Sequence, residues 1–453
     1  MNIASILRHS LRLRNSSNIS ADVKKQQQKQ ALDRLLDHVF KHSRFYRSHY
    51  ERHGIYQRHI GKITITDLPM VDKQMLREHF DHAVCDPKLR LNEIQRFMLD
   101  PANHDVPYMG RYSVVHTSGT TGVPGIFAYG PREVALVSAV MFTRINKLQL
   151  RPRRARVLMV AAVEGKYGGV AICDHTPKML YNLKKCSVNL PQSEIRQLAQ
   201  DFQPTVLGGY ASAIHLLALE QLAGRIRINP RSIVCSGEPM TELARLDIKR
   251  AFGITPRNFY AASESLALGV ECESHGNMHL FDDLHIFECV SDDLREVKCG
   301  EAGKMVLTSL YNYTLPLIRY QTSDLIAKSK DLCPCGSTLL KLDALVGRAE
   351  EYLWFDADKE QREFIHPITF AELFAPGLER FRVIQTSTRA FRIQAQTKQR
   401  AVVSAELSQQ LDRILEAKGL SGQVSYSFDF VDRINTTSKS GKFDLVVPYT
   451  TTH

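Results

Sequence analysis

The chain has 453 residues, of which 43% are hydrophobic and 24% are charged. These near-average proportions exclude a collagen-like, coiled-coil or wholly disordered chain, and the length predicts two or three domains. The net charge of +11 favours anionic partners such as nucleotides, coenzymes, nucleic acid or a membrane surface, without choosing among them. No apolar run approaches the roughly 20 residues of a membrane span. Nine cysteines, an odd number, do not suit a secreted disulfide framework, so we expect a protein of the reducing cytoplasm.

The first periodic pattern is helical and lies near the start of the chain. Residues 26–50 carry apolar side chains at spacings typical of one amphipathic helical face: Leu32, Leu35, Leu36, Val39, Phe40 and Phe45. Gly54 follows this face as a stop.

Strands and helices alternate through the middle of the chain. Four short apolar runs are typical of buried strands, at residues 156–163, 205–207, 232–235 and 304–310. Helix-like segments accompany them, at residues 211–222 and 241–251. This alternation predicts an α/β architecture with largely parallel sheets.

The end of the chain has a different order of predicted strands and helices. Residues 380–385 and 391–395 predict two strands around a turn, and residues 401–418 predict a helix. Residues 424–431 alternate with period two, as a further strand does. Two strands, a helix and a third strand predict a compact α+β unit of about 100 residues, which is a plausible size for a separate domain.

Residues 117–124, Thr-Ser-Gly-Thr-Thr-Gly-Val-Pro, form the strongest chemical motif. Glycines let backbone N–H groups wrap an anion, and the interleaved hydroxyls add donors, which suits a triphosphate. The motif is not a Walker P-loop, because it lacks the Gly-Lys-Ser/Thr ending of that loop. An ordinary polar surface turn is the alternative interpretation.

Four further segments accompany this loop in order along the chain. They are residues 236–239 (Ser-Gly-Glu-Pro), 260–264 (Tyr-Ala-Ala-Ser-Glu), 315–324 (Leu-Pro-Leu-Ile-Arg-Tyr-Gln-Thr-Ser-Asp) with Gly347 and Arg348, and 440–442 (Ser-Gly-Lys). With the loop, they resemble the adenylate-forming superfamily of acyl-CoA synthetases, and within it the phenylacetate-CoA ligase branch. The loop is highly specific for the superfamily, and the 315–324 motif points to the branch. The resemblance covers nearly the whole chain.

The resemblance implies an enzyme that joins a carboxylic acid, aromatic or small, to AMP, releases pyrophosphate and passes the acyl group to coenzyme A. Six residues of the loop would contact the β- and γ-phosphates: Thr117, Ser118, Gly119, Thr120, Thr121 and Gly122. Ser263 would contact the α-phosphate, and Asp324 with Arg348 would contact the ribose. The residues around adenine would be Tyr260, Ala261, Ser236, Gly237, Glu238 and Pro239. The acid pocket would be lined by Gly209, Tyr210 and Ala262, and Glu264 would hold Mg²⁺. The catalytic residues would be Thr121, Glu264 and Lys442.

A mobile C-terminal domain is also implied by the resemblance. Residues 1–349 would form the adenylation domain and residues 350–453 the domain that carries the catalytic lysine. Glu350 would be the hinge residue. Lys442 would bring positive charge to the α-phosphate and the carboxylate as negative charge accumulates there.

The chain departs from the family pattern in ways that leave its second substrate open. Relatives that use coenzyme A carry a glycine-containing segment along the pantetheine tunnel, whereas residues 352–361 contain no glycine. An amine or a carrier-protein thiol therefore stays open as the acceptor. Gly125 stands where many superfamily members carry Lys. A nucleotide-binding homologue without catalysis is a third possibility, against which the intact loop, Glu264 and Lys442 argue.

Cysteine and histidine spacing predicts a second site. Cys333 and Cys335 form a C-x-C knuckle, and Cys272 and His279 lie upstream with His275 between them. Thiolates and imidazole suit tetrahedral zinc, so we expect a structural zinc on Cys272, His279, Cys333 and Cys335. Buried free thiols beside a surface histidine are the alternative.

Two basic runs raise the question of nucleic-acid binding. Residues 24–30 and 151–156 lack the aromatic side chains of a base-stacking platform, and no zinc-finger or RNA-binding motif is present. We therefore expect solvated surfaces and no nucleic-acid partner. An oligomer, most simply a dimer, is the expected assembly.

Overall fold

A computed structural model describes residues 3–16, 18–117, 125–145, 154–238, 240–291, 293–346, 353–357, 362–365, 369–370, 373–434 and 445–449. The start of the chain is mainly helical. Its helices are α1 (Ile3–Ser16), α2 (Ala21–His42), α3 (Arg44–Arg52), α4 (Lys73–Glu78), α5 (Phe80–Ala83) and α6 (Leu91–Leu99), with short 3₁₀ turns at Gln57–His59, Ile65–Asp67 and Pro101–Asn103. Strands β1 (Ser113–His116) and β2 (Ile126–Tyr129) then form an antiparallel pair.

The single helical face expected over residues 26–50 is divided between two helices. Ser43 ends α2 and begins α3, because its backbone is extended and its hydroxyl accepts a hydrogen bond from the Tyr46 N–H at 3.3 Å. A side-chain cap of this kind satisfies one of the unpaired N–H groups at a helix start. The buried face is confirmed in both helices, whereas the expectation of one continuous helix was wrong: Leu32, Leu35, Leu36, Val39, Phe40 and Phe45 are all buried.

An 11-stranded sheet forms the centre of the molecule, in the order β10-β11-β12-β13-β9-β8-β7-β6-β5-β3-β4. Its strands are β3 (Ala155–Ala161), β4 (Tyr181–Ser187), β5 (Val206–Gly209), β6 (Ser232–Ser236), β7 (Arg257–Tyr260), β8 (Gly269–Glu271), β9 (Met278–Leu280), β10 (His285–Val290), β11 (Ala302–Ser309), β12 (Tyr320–Lys328) and β13 (Leu340–Val346). Strands β3 to β7 pair in parallel, and the remaining neighbours pair antiparallel.

The α/β class is confirmed, but the main sheet is mixed and not largely parallel as expected, because four of its ten neighbouring pairs are parallel and six are antiparallel. Three of the five parallel strands lie where the apolar runs predict them. The runs at 156–163, 205–207 and 232–235 correspond to β3, β5 and β6. The run at 304–310 corresponds to β11, which pairs antiparallel with both of its neighbours. A local apolar pattern reports that a strand is buried and carries no information about the direction of its neighbours.

Helices cover the parallel part of the sheet. They are α7 (Pro131–Val140, continued by a π turn at Met141–Ile145), α8 (Gly168–Asp174), α9 (Gln192–Phe202), α10 (Ala211–Leu222) and α11 (Glu242–Phe252). The two helices expected at 211–222 and 241–251 are confirmed as α10 and α11. Thr241 caps α11, because its hydroxyl accepts from the Ala244 N–H at 3.1 Å. Of the helices in the described part of the chain, none combines the length and apolar character needed to cross a membrane.

The C-terminal part has the expected order of two strands, a helix and a strand. It contains the hairpin β14 (Leu353–Asp356) and β15 (Arg362–Ile365), strands β16 (Leu378–Ser387) and β17 (Ala390–Thr397), helix α12 (Arg400–Ala417), and strands β18 (Ser425–Val431) and β19 (Val446–Val447). The sheet order is β18-β17-β16-β19. This part has a hydrophobic core of its own, in which Phe391, Val403 and Leu407 are buried. The domain division at residues 349 and 350 lies outside the described residues and stays a prediction.

A buried ion pair at the sheet also contacts the N-terminal segment of the chain. The Arg319 guanidinium donates to both carboxylate oxygens of Glu288, at 3.0 and 2.7 Å, and to the Leu68 carbonyl at 2.6 Å. Buried charges persist when they are paired in this way, and loss of one partner leaves the other uncompensated. Arg319 belongs to the 315–324 motif, so at least one residue of that motif has a structural role.

Candidate functional site

One large cavity lies where the parallel strands end. Its volume is about 950 Å³, and its wall includes Ala162, Tyr210, Glu238 and Ala261, which follow the carboxyl ends of β3, β5, β6 and β7. Ligands of open α/β sheets bind at this edge of the sheet. The position of the cavity therefore supports a ligand-binding role.

The predicted phosphate loop is closed at its base by Thr117 and Gly125. The Thr117 N–H donates to the Gly125 carbonyl at 2.9 Å, and the Gly125 N–H donates to Thr117 Oγ1 at 2.9 Å. The Lys73 ammonium lies 3.4 Å from the same Oγ1, and both Lys73 and Thr117 line the cavity. The loop itself lies outside the described residues, so these residues keep their roles as predictions: Ser118, Gly119, Thr120, Thr121 and Gly122.

Tyr260 and Asp324 meet at the cavity and join β7 to β12. The Tyr260 hydroxyl donates to Asp324 Oδ2 at 2.5 Å. Burial, reinforced by the negative charge of Asp324, raises the pKa of Tyr260 well above its usual value, so the hydroxyl stays protonated. An oriented carboxylate on a cavity wall is a suitable acceptor for hydroxyl groups, in keeping with the ribose contact predicted for Asp324.

The segment predicted beside adenine is fixed against its neighbours. Ser236, Gly237 and Glu238 line the cavity, and Glu238 accepts a hydrogen bond from the Ser212 N–H at 3.1 Å. Gly237 has a φ of +82°, and a Cβ there would lie 2.8 Å from the Tyr210 ring. Only glycine combines this backbone angle with such a close approach.

The residues predicted for the acid pocket are brought together. Gly209, Tyr210 and Ala262 line the same cavity. Gly209 has a φ of +133°, and a Cβ there would lie 2.0 Å from the Val160 carbonyl oxygen. The Tyr210 N–H donates to that same carbonyl at 3.0 Å, so the glycine allows the chain to turn tightly over β3 before α10 begins.

Ser263 and Glu264 lie beside the base of the phosphate loop. The Ser263 hydroxyl donates to the His116 carbonyl at 2.8 Å, and the Ser263 carbonyl accepts from the Tyr129 hydroxyl at 2.6 Å. Both Ser263 and Glu264 line the cavity. The segment after β7 is thereby attached to β1 and β2, the strands on either side of the phosphate loop.

Four further predicted residues, Pro239, Arg348, Glu350 and Lys442, lie outside the described residues, so their roles stay predictions. Sequence reasoning also missed several charged groups at the cavity, of which Lys73 lies beside the base of the phosphate loop. A single lysine at the start of a short helix carries no pattern that distinguishes it from a solvated surface charge.

A second cluster gathers soft metal ligands from two distant segments. One donor atom from each of Cys272, His279, Cys333 and Cys335 lies within 4.8 Å of all the others. Cys333 Sγ is 3.9 Å from Cys272 Sγ, and Cys335 Sγ is 3.9 Å from His279 Nε2. Thiolates about 2.3 Å from a tetrahedral centre lie roughly 3.8 Å apart, so the donor set and its spacing fit zinc. His275 Nδ1 is also 3.9 Å from the sulfurs of Cys272 and Cys333.

Comparisons with known proteins agree with these motifs. No family model matches the chain. It is similar to phenylacetate-coenzyme A ligases of Thermus thermophilus (26% identity over 336 residues, 72% of this chain and 70% of the relative) and of Escherichia coli (25% over 336 residues, 72% and 71%). It is also similar to protein CapK of Staphylococcus aureus (23% over 342 residues, 72% and 68%).

Solved structures show the same fold. A 2-hydroxyisobutyryl-CoA ligase in complex with 2-HIB-AMP and CoA, in the thioesterification state, matches with a TM-score of 0.60 at 19% identity, over 95% of this chain and 91% of the other. The same ligase in the postadenylation state matches with a TM-score of 0.57 at 19% identity, over 96% and 91%. In its motifs, its relatives and its fold, the chain resembles the adenylate-forming phenylacetate-CoA ligases.

Proposed function

We propose that the protein uses ATP to adenylate a carboxylic acid, releases pyrophosphate and transfers the acyl group to coenzyme A. The observation that carries this proposal is the convergence at one cavity of Thr117, Tyr260, Glu264 and Asp324, which come from three separate motifs of the chain. The phenylacetate-coenzyme A ligases among the relatives support the reaction class.

The chemistry requires positioning and positive charge. A carboxylate oxygen of the acid attacks the α-phosphorus of ATP, and the bond from that phosphorus to pyrophosphate breaks. The acid is already the nucleophile, so its activation needs no general base, and the barrier lies in bringing two anions together and stabilising the transferring phosphoryl group. In the second step the coenzyme A sulfur attacks the acyl carbon, and AMP leaves.

The described residues account for much of the nucleotide site. We assign Asp324 to the ribose hydroxyls, Tyr260 and Gly237 to the adenine, and Ser263 to the α-phosphate. Lys73 adds a positive charge beside Thr117 at the base of the phosphate loop. Lys442 would supply the charge that the α-phosphate needs in the transition state.

Glu264 is the proposed protein ligand for the Mg²⁺ that accompanies ATP. Mg²⁺ prefers carboxylate and phosphate oxygens, and Glu264 lies on the cavity wall directly after the proposed α-phosphate residue Ser263. When bound, the ion would neutralise charge on the phosphates.

Coenzyme A is the favoured acceptor, and an amine or a carrier-protein thiol is the alternative. The relatives named for coenzyme A favour the first. The alternative rests on the glycine-free segment of residues 352–361, part of which forms strand β14, the antiparallel partner of β15. A catalytically inactive homologue stays the third possibility.

We also propose that Cys272, His279, Cys333 and Cys335 bind one structural zinc. Four protein ligands leave no open position, which is typical of structural and not catalytic zinc.

All nine cysteines are free of disulfide bonds, in keeping with the proposed reducing compartment. The expected dimer stays a prediction.

Pyrophosphate release tests the proposed function directly. Purified protein would be given ATP, Mg²⁺ and a panel of acids that includes phenylacetate, with coenzyme A or amines in parallel, and products would be identified by mass spectrometry. Acid-dependent pyrophosphate release with formation of a thioester supports the proposal, and an amide product favours the alternative. Absence of release with every acid, in folded protein that binds ATP, would refute it.

The lysine assignment has its own test. Lys442→Ala should slow adenylation by roughly 10²–10³, because a well-placed stabilising donor is lost. The variant should still convert a supplied acyl-adenylate to product, since a second domain pose does not use this lysine. Lys439→Ala is the control. Full adenylation by the Lys442 variant would transfer the role to Lys439.

A further inference from the structure

The cavity continues past the acid pocket as an apolar arm that the proposed chemistry does not use. We call it the tail arm. Its floor is formed by the sheet and its roof by the end of α7 and by α8: Val157, Met159, Leu183 and Val206 below, Phe142 and Ile172 above. These side chains are hydrophobic, and they belong to the same cavity as the predicted acid-pocket residues Gly209 and Tyr210.

The alternation of side chains along β3 produces the floor. Val157, Met159 and Ala161 line the cavity, whereas Leu158 and Val160 are fully buried on the opposite face of the sheet. Parallel pairing places Val157 in register with Leu183 on β4 and with Val206 on β5. From Ala161 to Val157 the strand advances about 13 Å, so the floor continues well beyond the acid pocket.

The roof contacts this floor at Met159 and closes the far end of the arm. A Cβ at Gly169 on α8 would lie 3.6 Å from the Met159 methyl, in ordinary van der Waals contact, and the Cys173 thiol donates to Met159 Sδ at 2.7 Å. At the far end Phe142 stacks on the Tyr181 ring, with 5.5 Å between centroids. Burial raises the pKa of the Cys173 thiol on the roof to about 12, so this group is neutral at physiological pH.

The two hydroxyl side chains of Ser138 and Thr176 beside the tail arm are bonded within their own chain segments. The Ser138 hydroxyl donates to the Val134 carbonyl at 2.9 Å, and the Thr176 hydroxyl donates to the Ile172 carbonyl at 3.2 Å. None of the six side chains that define the arm carries a charge. A second charged or polar group on the acid would lose its hydration there without a matching charge, which is unfavourable.

We infer that the preferred acid carries an unsubstituted aliphatic tail of medium length, such as that of octanoate or decanoate, and that the tail arm holds it. This inference rests on the proposed function and names its substrate class. The single ring of phenylacetate would fill only the part of the arm next to Ala161, whereas a longer chain would also bury its methylenes against Met159, Val157 and Val206.

A homologous series of acids tests the inference. Pyrophosphate release would be measured with butyrate, hexanoate, octanoate, decanoate and phenylacetate at fixed ATP. Burial of each added methylene should raise kcat/KM about fourfold until the arm is full. Octanoate or decanoate should then exceed phenylacetate. If phenylacetate or butyrate is preferred and the longer acids gain nothing, the inference is wrong and the proposed function stands. If no acid is adenylated, both the inference about the tail arm and the proposed function are wrong.

Filling the far end of the arm locates the tail. Val157→Phe should lower the ratio of kcat/KM for decanoate to that for butyrate at least tenfold, and Leu183→Phe is a second variant in case the first does not fold. Val402→Phe, the same substitution at an exposed site on α12, is the matched control and should leave the ratio unchanged. A ratio that stays at the wild-type value in a folded Val157 or Leu183 variant would overturn the assignment.

Discussion

Lys73 shows how a charge at the candidate site can come from an unexpected part of the chain. A Cβ at Gly125 would lie 3.1 Å from Lys73 Cε, so the lysine stem occupies the space beside the glycine. Many superfamily members carry a lysine at the position of Gly125, whereas here the ammonium belongs to Lys73 on α4. The two positions are far apart in sequence, and only the fold brings them together.

Replacing Lys73 with methionine should weaken the use of ATP. Methionine keeps the apolar stem and removes the charge, and a hydrogen bond to a charged group contributes about 1.5–3 kcal/mol, so kcat/KM for ATP should fall roughly 10- to 100-fold. Steady-state kinetics with varied ATP measures this effect. Lys62→Met, at an exposed lysine of the same region, is the control. Wild-type ATP kinetics in the Lys73 variant would remove this residue from the phosphate site.

Two adjacent glycines at the end of β5 should respond differently to alanine. Gly209→Ala places a Cβ 2.0 Å from the Val160 oxygen at a positive φ, and local backbone strain of this kind costs about 1–3 kcal/mol before any rearrangement. Gly208→Ala is the matched control, because its Cβ would meet nothing closer than 3.7 Å. Denaturant unfolding measures both. Equal free energies of unfolding for the two variants would contradict the role given to Gly209.

At the scale of elements, the parts of the fold with strong local patterns were the predictable ones. The apolar runs of β3, β5 and β6 and the helices α10 and α11 follow directly from side-chain periodicity. Strands β8 and β9 have three residues each, too few to establish a period, and were not predicted. The division at Ser43 was missed because the apolar spacing continues across it, while a single side-chain cap interrupts the helix.

The candidate sites were predictable to the extent that residue type restricts chemistry. Cys272 and Cys333 are about 60 positions apart, yet thiols and imidazoles in short spacings have few other uses in combination. The pairing of β9 with β13 then brings His279 close to Cys335. The tail arm was not predicted, because its residues are ordinary core side chains whose open face appears only in three dimensions.

Loss of the proposed zinc should destabilise the C-x-C turn and the strands around it. Cys333→Ser should lower the bound zinc, expected at about one per chain, and lower the melting temperature, because structural zinc contributes folding free energy directly. Elemental analysis and thermal unfolding measure the two effects. Cys299→Ser, at an exposed cysteine outside the cluster, is the control. Wild-type protein without zinc, purified without chelators, would contradict the site.

At the scale of the whole molecule, the described part of the chain shows polar contacts from the C-terminal part to the segment between β4 and α9, and Phe364 of β15 packs in one core with residues of β3 and β4. The Thr369 hydroxyl donates to Asn189 Oδ1 at 2.6 Å, and the Gln192 N–H donates to Glu363 Oε1 at 3.0 Å. Lys418, at the end of α12, donates two further hydrogen bonds to this segment. Four hydrogen bonds to residues 188–192 therefore contribute to the docked pose.

Lys418 makes this docking sensitive to pH. Its ammonium donates to the carbonyls of Val188 at 2.5 Å and Leu190 at 3.2 Å, and lies 4.5 Å above the Phe364 ring. Burial lowers the pKa of Lys418 to about 8, although the negative charge of Glu363 opposes this shift. Burial also raises the pKa of Glu363. The other titratable groups that influence Lys418 are Glu164 and Cys186.

If the C-terminal domain leaves this pose, Lys418 enters water and its pKa returns to the ordinary value of 10.5. Below pH 8 the lysine is charged in both poses, and docking carries the full cost of burying the charge. Between about pH 8 and 10.5 the docked lysine is neutral while the released one is charged, so a rising pH favours docking. The docking constant should increase about tenfold from pH 7 to pH 9.

Hydrogen exchange at the Gln192 amide measures this docking, because that N–H is bonded to Glu363 only in the docked pose. Intrinsic exchange also changes with pH, so wild type is compared at each pH with Lys418→Met, which has no group to titrate. The ratio of wild-type to variant protection should rise between pH 7 and pH 9, and Lys398→Met, at an exposed lysine, should behave as wild type does. A ratio that stays flat across this range would show that Lys418 does not couple domain docking to pH. A rising ratio would mean that the free energy separating the two poses depends on the charge of one buried side chain.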